Sequence, residues 1–283
     1  MVRTSDKQSN EIKRPVVLIT GGSSGIGLAL AEQFAQHGYD LVLVARNWRK
    51  LEQAADLLRD NFQCTVIPLS LDLTAEDAPD DLIGELHARD IEIDVLVNNA
   101  GLGDYGPFHR SDQDRITAML RLNIIGLTAL TRRFLSAMIS RGKGRILNVA
   151  SVVAFFAGGS NWASYVASKH YVLAFTRGLR SELAGTGVSI TALCPGPAST
   201  EFADSSGVGA SRVYRWLPKT SLSAVASTGY RATMAGRTTA TPGLLNKLFA
   251  FFGELPPRGI AQAVFAFLSR GSKAVTTNGK VTR

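Results

Sequence analysis

The sequence has little cysteine. Cys64 and Cys194 are its only two in 283 residues. A disulfide framework is excluded, and a reducing cytoplasm is the compartment such usage fits. No uninterrupted apolar run approaches the ~18 residues of a transmembrane helix. The polar start lacks the apolar core of a signal peptide. The four histidines, His37, His87, His109 and His170, are scattered and show no metal-ligand spacing, so no metal is expected. No basic stripe carries interleaved aromatics, which argues against nucleic acid as a partner. The net charge of +8 reads largely as solvated tails. Residues 1–14 contribute +2 and residues 272–283 contribute +3, leaving +3 for the body.

What is present is a core. Apolar residues make up 45% of the chain and charged residues 19%, which excludes wholesale disorder. Short, nearly continuous Val/Ile/Leu runs stand at 15–20, 40–45, 64–70, 93–98, 144–150 and 187–194, as expected of strands buried on both faces. Helix-like stretches alternate with them at 25–37, 48–61, 75–89, 111–140 and 162–184. This β-α alternation predicts an α/β fold: a Rossmann-type doubly wound parallel sheet of about seven strands with helices on both faces. One domain is expected over 14–271, between flexible tails at 1–13 and 272–283. Within it, the Ser- and Gly-rich segment 201–220 reads as a mobile substrate loop. A short strand is expected near 237–241. Residues 242–270 read as a helical extension of two short Phe-rich helices, 243–252 and 257–269, split by Pro256 and Pro257.

The first candidate site directly follows the first strand: Thr20, Gly21, Gly22, Ser23, Ser24, Gly25, Ile26, Gly27. Glycines let the chain turn sharply and let a ligand approach the backbone. Free N–H groups at the following helix N-terminus suit a pyrophosphate. The spacing is G-x-x-x-G-x-G, not the G-x-G-x-x-G of the commonest dinucleotide fold. The second strand ends in Val44, Ala45, Arg46, Asn47. No acid stands there to accept from a ribose 2′-OH, as an NAD site usually has. Arg46 can instead pair with a 2′-phosphate, which points to NADP(H). Asp72 and Leu73 follow the third strand, where a carboxylate can accept from an adenine amino group or merely cap a helix. Asn98, Asn99, Ala100 and Gly101 follow the fourth, where small residues let a cofactor pass the sheet edge.

Ser151 ends the fifth strand, and Tyr165 and Lys169 lie one turn apart on one helix face. An ammonium beside a phenol favours phenolate, lowering its pKa from ~10. A tyrosine so tuned serves as a general acid or base. Cys194 reads as a small buried apolar residue.

In order and approximate spacing, Thr20 to Gly27, Asp72, Asn98 to Gly101, Asn123, Ser151, Tyr165-x-x-x-Lys169 and Pro195-Gly196-Pro197 resemble the short-chain dehydrogenase/reductase family. The resemblance covers about 16–200 strongly, and Arg46 matches the family's NADP-preferring branch. It implies that Tyr165 carries the proton and that Lys169 tunes Tyr165 and holds the nicotinamide ribose. It implies that Ser151 orients the substrate oxygen and Asn123 anchors a water. Gly21, Ser23, Ser24, Gly25, Ile26, Gly27, Arg46, Asp72, Leu73, Asn98, Ala100, Gly101, Pro195, Gly196 and Thr200 would line the cofactor. The chain departs from the family at one point. Ser151 and Tyr165 stand 14 residues apart, one more than usual, which places an extra residue within 152–164.

The expected activity is NADP(H)-dependent interconversion of a carbonyl and a secondary alcohol. Phe155, Phe156, Trp162, Phe202 and Trp216 favour a lipophilic ketone or 3-oxoacyl substrate. A non-catalytic NADP-binding regulator or scaffold is the rival, though such proteins often lose Tyr or Lys. A third reading keeps the enzyme but sets it at a membrane surface. The Phe-rich C-terminal helices, flanked by Lys247, Arg258, Arg270 and Lys273, would make weak contact there, or else would form a lid or a subunit contact. A homodimer or homotetramer is expected through 111–140 and 162–184, which are apolar on more than one face.

Overall fold

The computed structural model describes residues 14–255 and 257–269. The tails expected at 1–13 and 272–283, with Arg270 and Lys273, lie outside the described residues, as does Pro256.

Seven parallel strands form one sheet: β1 (Val16–Thr20), β2 (Asp40–Ala45), β3 (Val66–Ser70), β4 (Val95–Asn98), β5 (Gly144–Val149), β6 (Val188–Leu193) and β7 (Thr239–Ala240). Their spatial order is β3-β2-β1-β4-β5-β6-β7. The order reverses between β1 and β4, the crevice where open α/β sheets bind ligands. Every residue of β1 is buried. Val17 and Ile19 join the core under α1 (Gly25–Gln36), α2 (Trp48–Phe62) and α9 (Leu222–Met234). Val16 and Leu18 join the opposite core, under α3 (Ala78–Ala88), α5 (Leu127–Ser140) and the end of α6 (Ala163–Glu182). The period of two thus shares each strand between two helix layers.

The segment expected as one helix over 111–140 has three parts: α4 (Gln113–Leu120), a π-helical turn (Arg121–Gly126) and α5. The wide turn holds Asn123, and π-turns of this kind are common at functional sites. The stretch Gln113–Ser140 is long and apolar enough to cross a membrane by length and composition. Here Leu130, Phe134 and Met138 bury one side of it in the sheet core.

The segment expected as a mobile loop over 201–220 folds instead into α7 (Glu201–Ser206), a 3₁₀ turn (Val208–Ala210) and α8 (Arg212–Trp216). Ala203, Val208 and Val213 bury against the second half of the domain, and Ser211 caps α8 by accepting from Tyr214 N. Sparse apolar residues sufficed because the turns are short and self-capped. Helix α9 was not anticipated. Its buried positions are Val225, Ala226, Gly229, Ala232 and Thr233, and small residues give little amphipathic signal. They let α9 lie close against α1: a Cβ at Gly229 would stand 2.9 Å from Leu193 Cδ2 and 3.2 Å from Leu30 Cδ2. The C-terminal helices are α10 (Leu244–Glu254) and α11 (Arg258–Ser269).

Candidate active site

A cleft of about 470 Å³ runs along the C-terminal ends of β1, β2, β4, β5 and β6. Arg46, Asn47, Lys50 and Asp72 line one end of it. Gly21, Ser23, Ser24, Gly25 and Ile26 form its middle. Ser151, Tyr165, Lys169, Pro195, Gly196 and Thr200 line the other end, beside an apolar chamber. Leu73, Ala100 and Gly101 also line it.

The middle is built for a phosphate. Gly21 has φ +66, and a Cβ there would meet Asn99 Nδ2 at 2.9 Å and Ala100 Cα at 3.0 Å. The turn can therefore lie only as a bare backbone. Ser24, at the N-cap of α1, makes no side-chain capping bond, whereas Asn47, Asp112, Ser211 and Ser221 cap their helices. The first N–H groups of α1 thus open onto the cleft, where the helix dipole favours an anion. At the basic end, Arg46 is exposed and has no ion pair among the described residues. Lys50 lies one turn further on and bonds Glu201 at 2.8 Å across the cleft. Asp72 Oδ1 is held by Thr74 N at 3.0 Å and Thr74 Oγ1 at 2.8 Å. A dinucleotide with a 2′-phosphate fits this donor set: bare backbone and an open helix end for the pyrophosphate, two cations for the extra phosphate.

Two expected cofactor residues do not line the cleft. Gly27 sits behind it, where a Cβ would fall 2.1 Å from Gly21 O, so its role is close packing of α1 under the turn. Asn98 points into the core, donating to Thr131 Oγ1 at 3.0 Å and to Asn148 Oδ1 at 2.9 Å. Strand alternation turns its neighbour the other way. Asn99 Nδ2 donates to Thr20 O at 2.9 Å and Gly21 O at 3.1 Å, pinning the glycine turn. Sequence reasoning named Asn99 only as part of the Asn98 to Gly101 segment, without this role, and missed Lys50. The period of two marked the first, and the four-residue step from Arg46 marked the second.

At the other end, Ser151 hydrogen-bonds the Tyr165 phenol. The extra residue between them is taken up in the loop, where Gly158 has φ +145 and Asn161 φ +65. Ser160 and Ser164, the other two serines before Tyr165 that could stand in for Ser151, do not line the cleft. The 3₁₀ turn Val152–Phe155 follows Ser151 and is held by Val152 N to Pro195 O at 2.9 Å. Lys169 Nζ donates to Val149 O at 2.9 Å. Asn123 is buried behind the cleft without lining it. Its Oδ1 accepts from Leu102 N and its Nδ2 donates to Leu102 O, both at 2.9 Å, and to Ser168 Oγ at 3.0 Å. It ties the loop after β4 to α6.

The electrostatics correct one expectation. Tyr165 is not lowered: burial pushes its phenol up to about 12, with the Ser151 hydrogen bond pulling the other way. Burial pulls Lys169 down to about 8. With its ammonium bonded to Val149 O, desolvation outweighs its attraction for a phenolate. Cys194 is buried and pushed up to about 12 by desolvation, a neutral thiol.

Aromatic rings wall the chamber. Trp162 and Tyr165 stand 5.6 Å apart and Tyr165 and Phe202 5.7 Å. Phe156, expected at the substrate side, does not line the cleft: behind that wall it stacks on Phe265 of α11 at 4.6 Å and tilts against Phe249 of α10 at 4.5 Å. Helix α10 also presses on the catalytic loops through small residues. A Cβ at Gly253 would lie 2.9 Å from Phe155 O, and one at Gly196 only 2.2 Å from Asn246 Oδ1.

Residues 15–209 match the short chain dehydrogenase family. The chain belongs to that family. It is 34% identical over 191 residues to the NADP-dependent 3-hydroxy acid dehydrogenase of Salmonella typhi, spanning 66% of this chain and 74% of that one. A short-chain dehydrogenase from Sphingobium yanoikuyae, solved with NADPH, matches 84% of this chain and 92% of its own at 32% identity, with a TM-score of 0.75. The bulky-bulky ketone specific alcohol dehydrogenase from Comamonas testosteroni matches 95% and 99% at 26% identity, with a TM-score of 0.71. The family membership and the seven-stranded parallel sheet agree with the sequence reading.

Proposed function

We propose that this short-chain dehydrogenase is an NADP(H)-dependent oxidoreductase that interconverts a carbonyl and a secondary alcohol. One observation carries the reading: Tyr165, bonded by Ser151 and one helical turn from Lys169, closes the end of a dinucleotide-shaped cleft and faces an apolar chamber. NADPH, when bound, supplies the hydride. Arg46 and Lys50 hold its 2′-phosphate, and the α1 N-terminus holds its pyrophosphate. Ser151 donates to the substrate oxygen, and Tyr165 Oη passes its proton to that oxygen as charge develops there. Lys169 holds the ribose hydroxyls, and Asn123 acts as a positioning residue for the loop after β4. A phenol kept neutral by burial is ready for the acid role that reduction needs.

The chamber selects the substrate class. Val152, Val153, Trp162, Phe202, Val208 and Val213 line it. Trp162 Nε1 is buried without a partner among the described residues, a donor that favours a substrate with an acceptor near its carbonyl. A lipophilic ketone or 3-oxoacyl compound fits this lining, in keeping with the bulky ketones and 3-hydroxy acids named for the similar proteins. Screening NADPH oxidation against such carbonyls tests the reading. NADPH bound without turnover on any of them would favour the scaffold alternative. We place the enzyme in the cytoplasm, where its two free cysteines remain reduced.

Two expectations follow. The first concerns pH. Reduction needs the Tyr165 proton and the Lys169 charge, so it should be fastest below about pH 8 and fall above it as Lys169 deprotonates. Oxidation needs the phenolate, so its kcat/KM should rise with pH while Lys169 stays charged. Opposite pH trends for the two directions, measured on one substrate pair, check this.

The second concerns assembly. Ile125, in the turn that packs against α6, and Ile139 of α5 face outward at 63% and 42% exposure, and Tyr171 and Phe175 of α6 stack at 5.6 Å. A homodimer or homotetramer through α4, α5 and α6 covers them. Light scattering at micromolar concentration should give a multiple of the monomer mass, and Ile125→Glu should reduce it.

A further inference from the structure

The reductase reading explains only the inner faces of α10 and α11. Those faces pack behind the chamber's lining: Phe249 lies against Phe156, and Phe265 is fully buried with its ring 6.4 Å from that of Trp162. The outer faces are apolar and open. On α10, Leu244, Leu248 and Phe251 recur at i, i+4 and i+7, one stripe, and are 73, 56 and 63% exposed. The buried positions of the same helix are Asn246, Ala250 and Gly253. An amphipathic helix of a soluble protein ordinarily turns its apolar stripe inward; α10 does the reverse. Ile260, Val264 and Phe267 repeat the arrangement on α11, all three exposed. Trp216, at the end of α8, is exposed too, its ring 6.4 Å from that of Phe267. A continuous apolar patch of this kind marks an interaction surface.

Charge selects the occupant. Residues 202–283 hold eleven Lys and Arg against two Asp and Glu, whereas residues 1–201 hold twenty against twenty-one. The positive charge of the whole chain therefore belongs to the part that carries this patch. Arg215, Lys219 and Lys247 are exposed around it. Its one acid on α10, Glu254, is neutralised by Arg177 at 2.6 Å. From residue 255 to the end there is no acid at all. A second copy docking symmetrically would set this basic segment against itself. An anionic surface would complement it.

We propose that the outward face of α8, α10 and α11 docks on an anionic lipid bilayer and seats the chamber beside the membrane surface. Apolar side chains would enter the headgroup boundary while Arg215, Lys219 and Lys247 meet the lipid charge. Val213 and Tyr214 of α8 line the chamber itself, with α10 and α11 packed behind it, so docking would bring the chamber close to an apolar carbonyl compound dissolved in lipid. That last step rests on the reductase reading; the docking does not.

The test is co-sedimentation of the full chain with vesicles of phosphatidylcholine alone and of phosphatidylcholine with phosphatidylglycerol. Binding is expected to the anionic vesicles, weakened by salt and absent from the neutral ones. Leu248→Glu with Phe251→Glu should lower it at least tenfold and leave NADPH affinity unchanged, because both side chains point to solvent. Lys219→Ala and Lys247→Ala should each lower it about fivefold. Absence of binding to anionic vesicles would overturn the proposal, as would binding that survives Leu248→Glu with Phe251→Glu. A mass that doubles with concentration, reverts in that double variant and comes without vesicle binding would assign the face to a second copy and overturn it. Vesicle binding in a protein that turns over no carbonyl would sustain the docking face and sink the reductase reading alone.

Discussion

Tyr165→Phe should lower turnover by about 10²–10⁴-fold, the usual contribution of a positioned general acid, and leave the affinity for NADPH within about twofold. The substitution removes only the oxygen that carries the proton. The ring stays between Trp162 and Phe202, where it packs at 5.6 and 5.7 Å, so the chamber keeps its shape. Stopped-flow turnover and fluorescence titration of NADPH measure the two effects separately. Lys169→Ala should damage both, since the ammonium serves the phenol and the ribose at once. It also removes the buried bond to Val149 O. If Tyr165→Phe kept more than a tenth of the wild-type rate, the acid would be another group.

Arg46→Ala should weaken NADPH by about 10–150-fold, the equivalent of ~1.5–3 kcal/mol for a charged hydrogen bond, and leave NADH almost unchanged. Arg46 is exposed at the cleft and has no ion pair among the described residues, so removing it strands no partner. Lys50→Ala should act in the same direction more weakly, because Lys50 is shared with Glu201 at 2.8 Å. Titration of both cofactors against each variant checks the prediction. A wild-type protein that bound NADH as tightly as NADPH would remove the argument from Arg46.

Local features were legible in the sequence. The central strands announced themselves because β1, β4, β5 and β6 are buried on both faces, and the glycine turn because backbone must lie bare where Gly21 crosses Ala100. Tyr165 and Lys169 follow from a single helical turn. The extra residue before Tyr165 did no harm because it falls in a loop able to take positive φ at Gly158 and Asn161. Features that depend on which way a side chain turns were less legible. Asn98 and Asn99 are chemically the same in the sequence, and only the alternation of β4 sends one into the core and the other to the turn. Helix α9 hid because Ala226, Gly229 and Ala232 pack by smallness and carry little apolar contrast. Segment 201–220 looked like a loop because its helices are only five and six residues long. The Tyr165 pKa went the other way because spacing alone does not say that Lys169 donates to Val149 O while burial acts on the phenol. The Phe-rich C-terminal helices were visible, but their composition did not tell the face packed behind the chamber from the outward stripe. The fold assigns Phe249 and Phe265 to the first and Leu248 and Phe251 to the second.

The most direct measurement of the central claim follows the hydride itself. Protein is mixed with NADPH deuterated at both C4 positions and with a lipophilic ketone, and the product is analysed by mass and by NMR. The account predicts a secondary alcohol with one deuterium on the carbinol carbon, formed in step with NADPH loss and slowed at least about a hundredfold by Tyr165→Phe. NADPH that binds tightly yet yields no labelled alcohol from any ketone or 3-oxoacyl compound would contradict it.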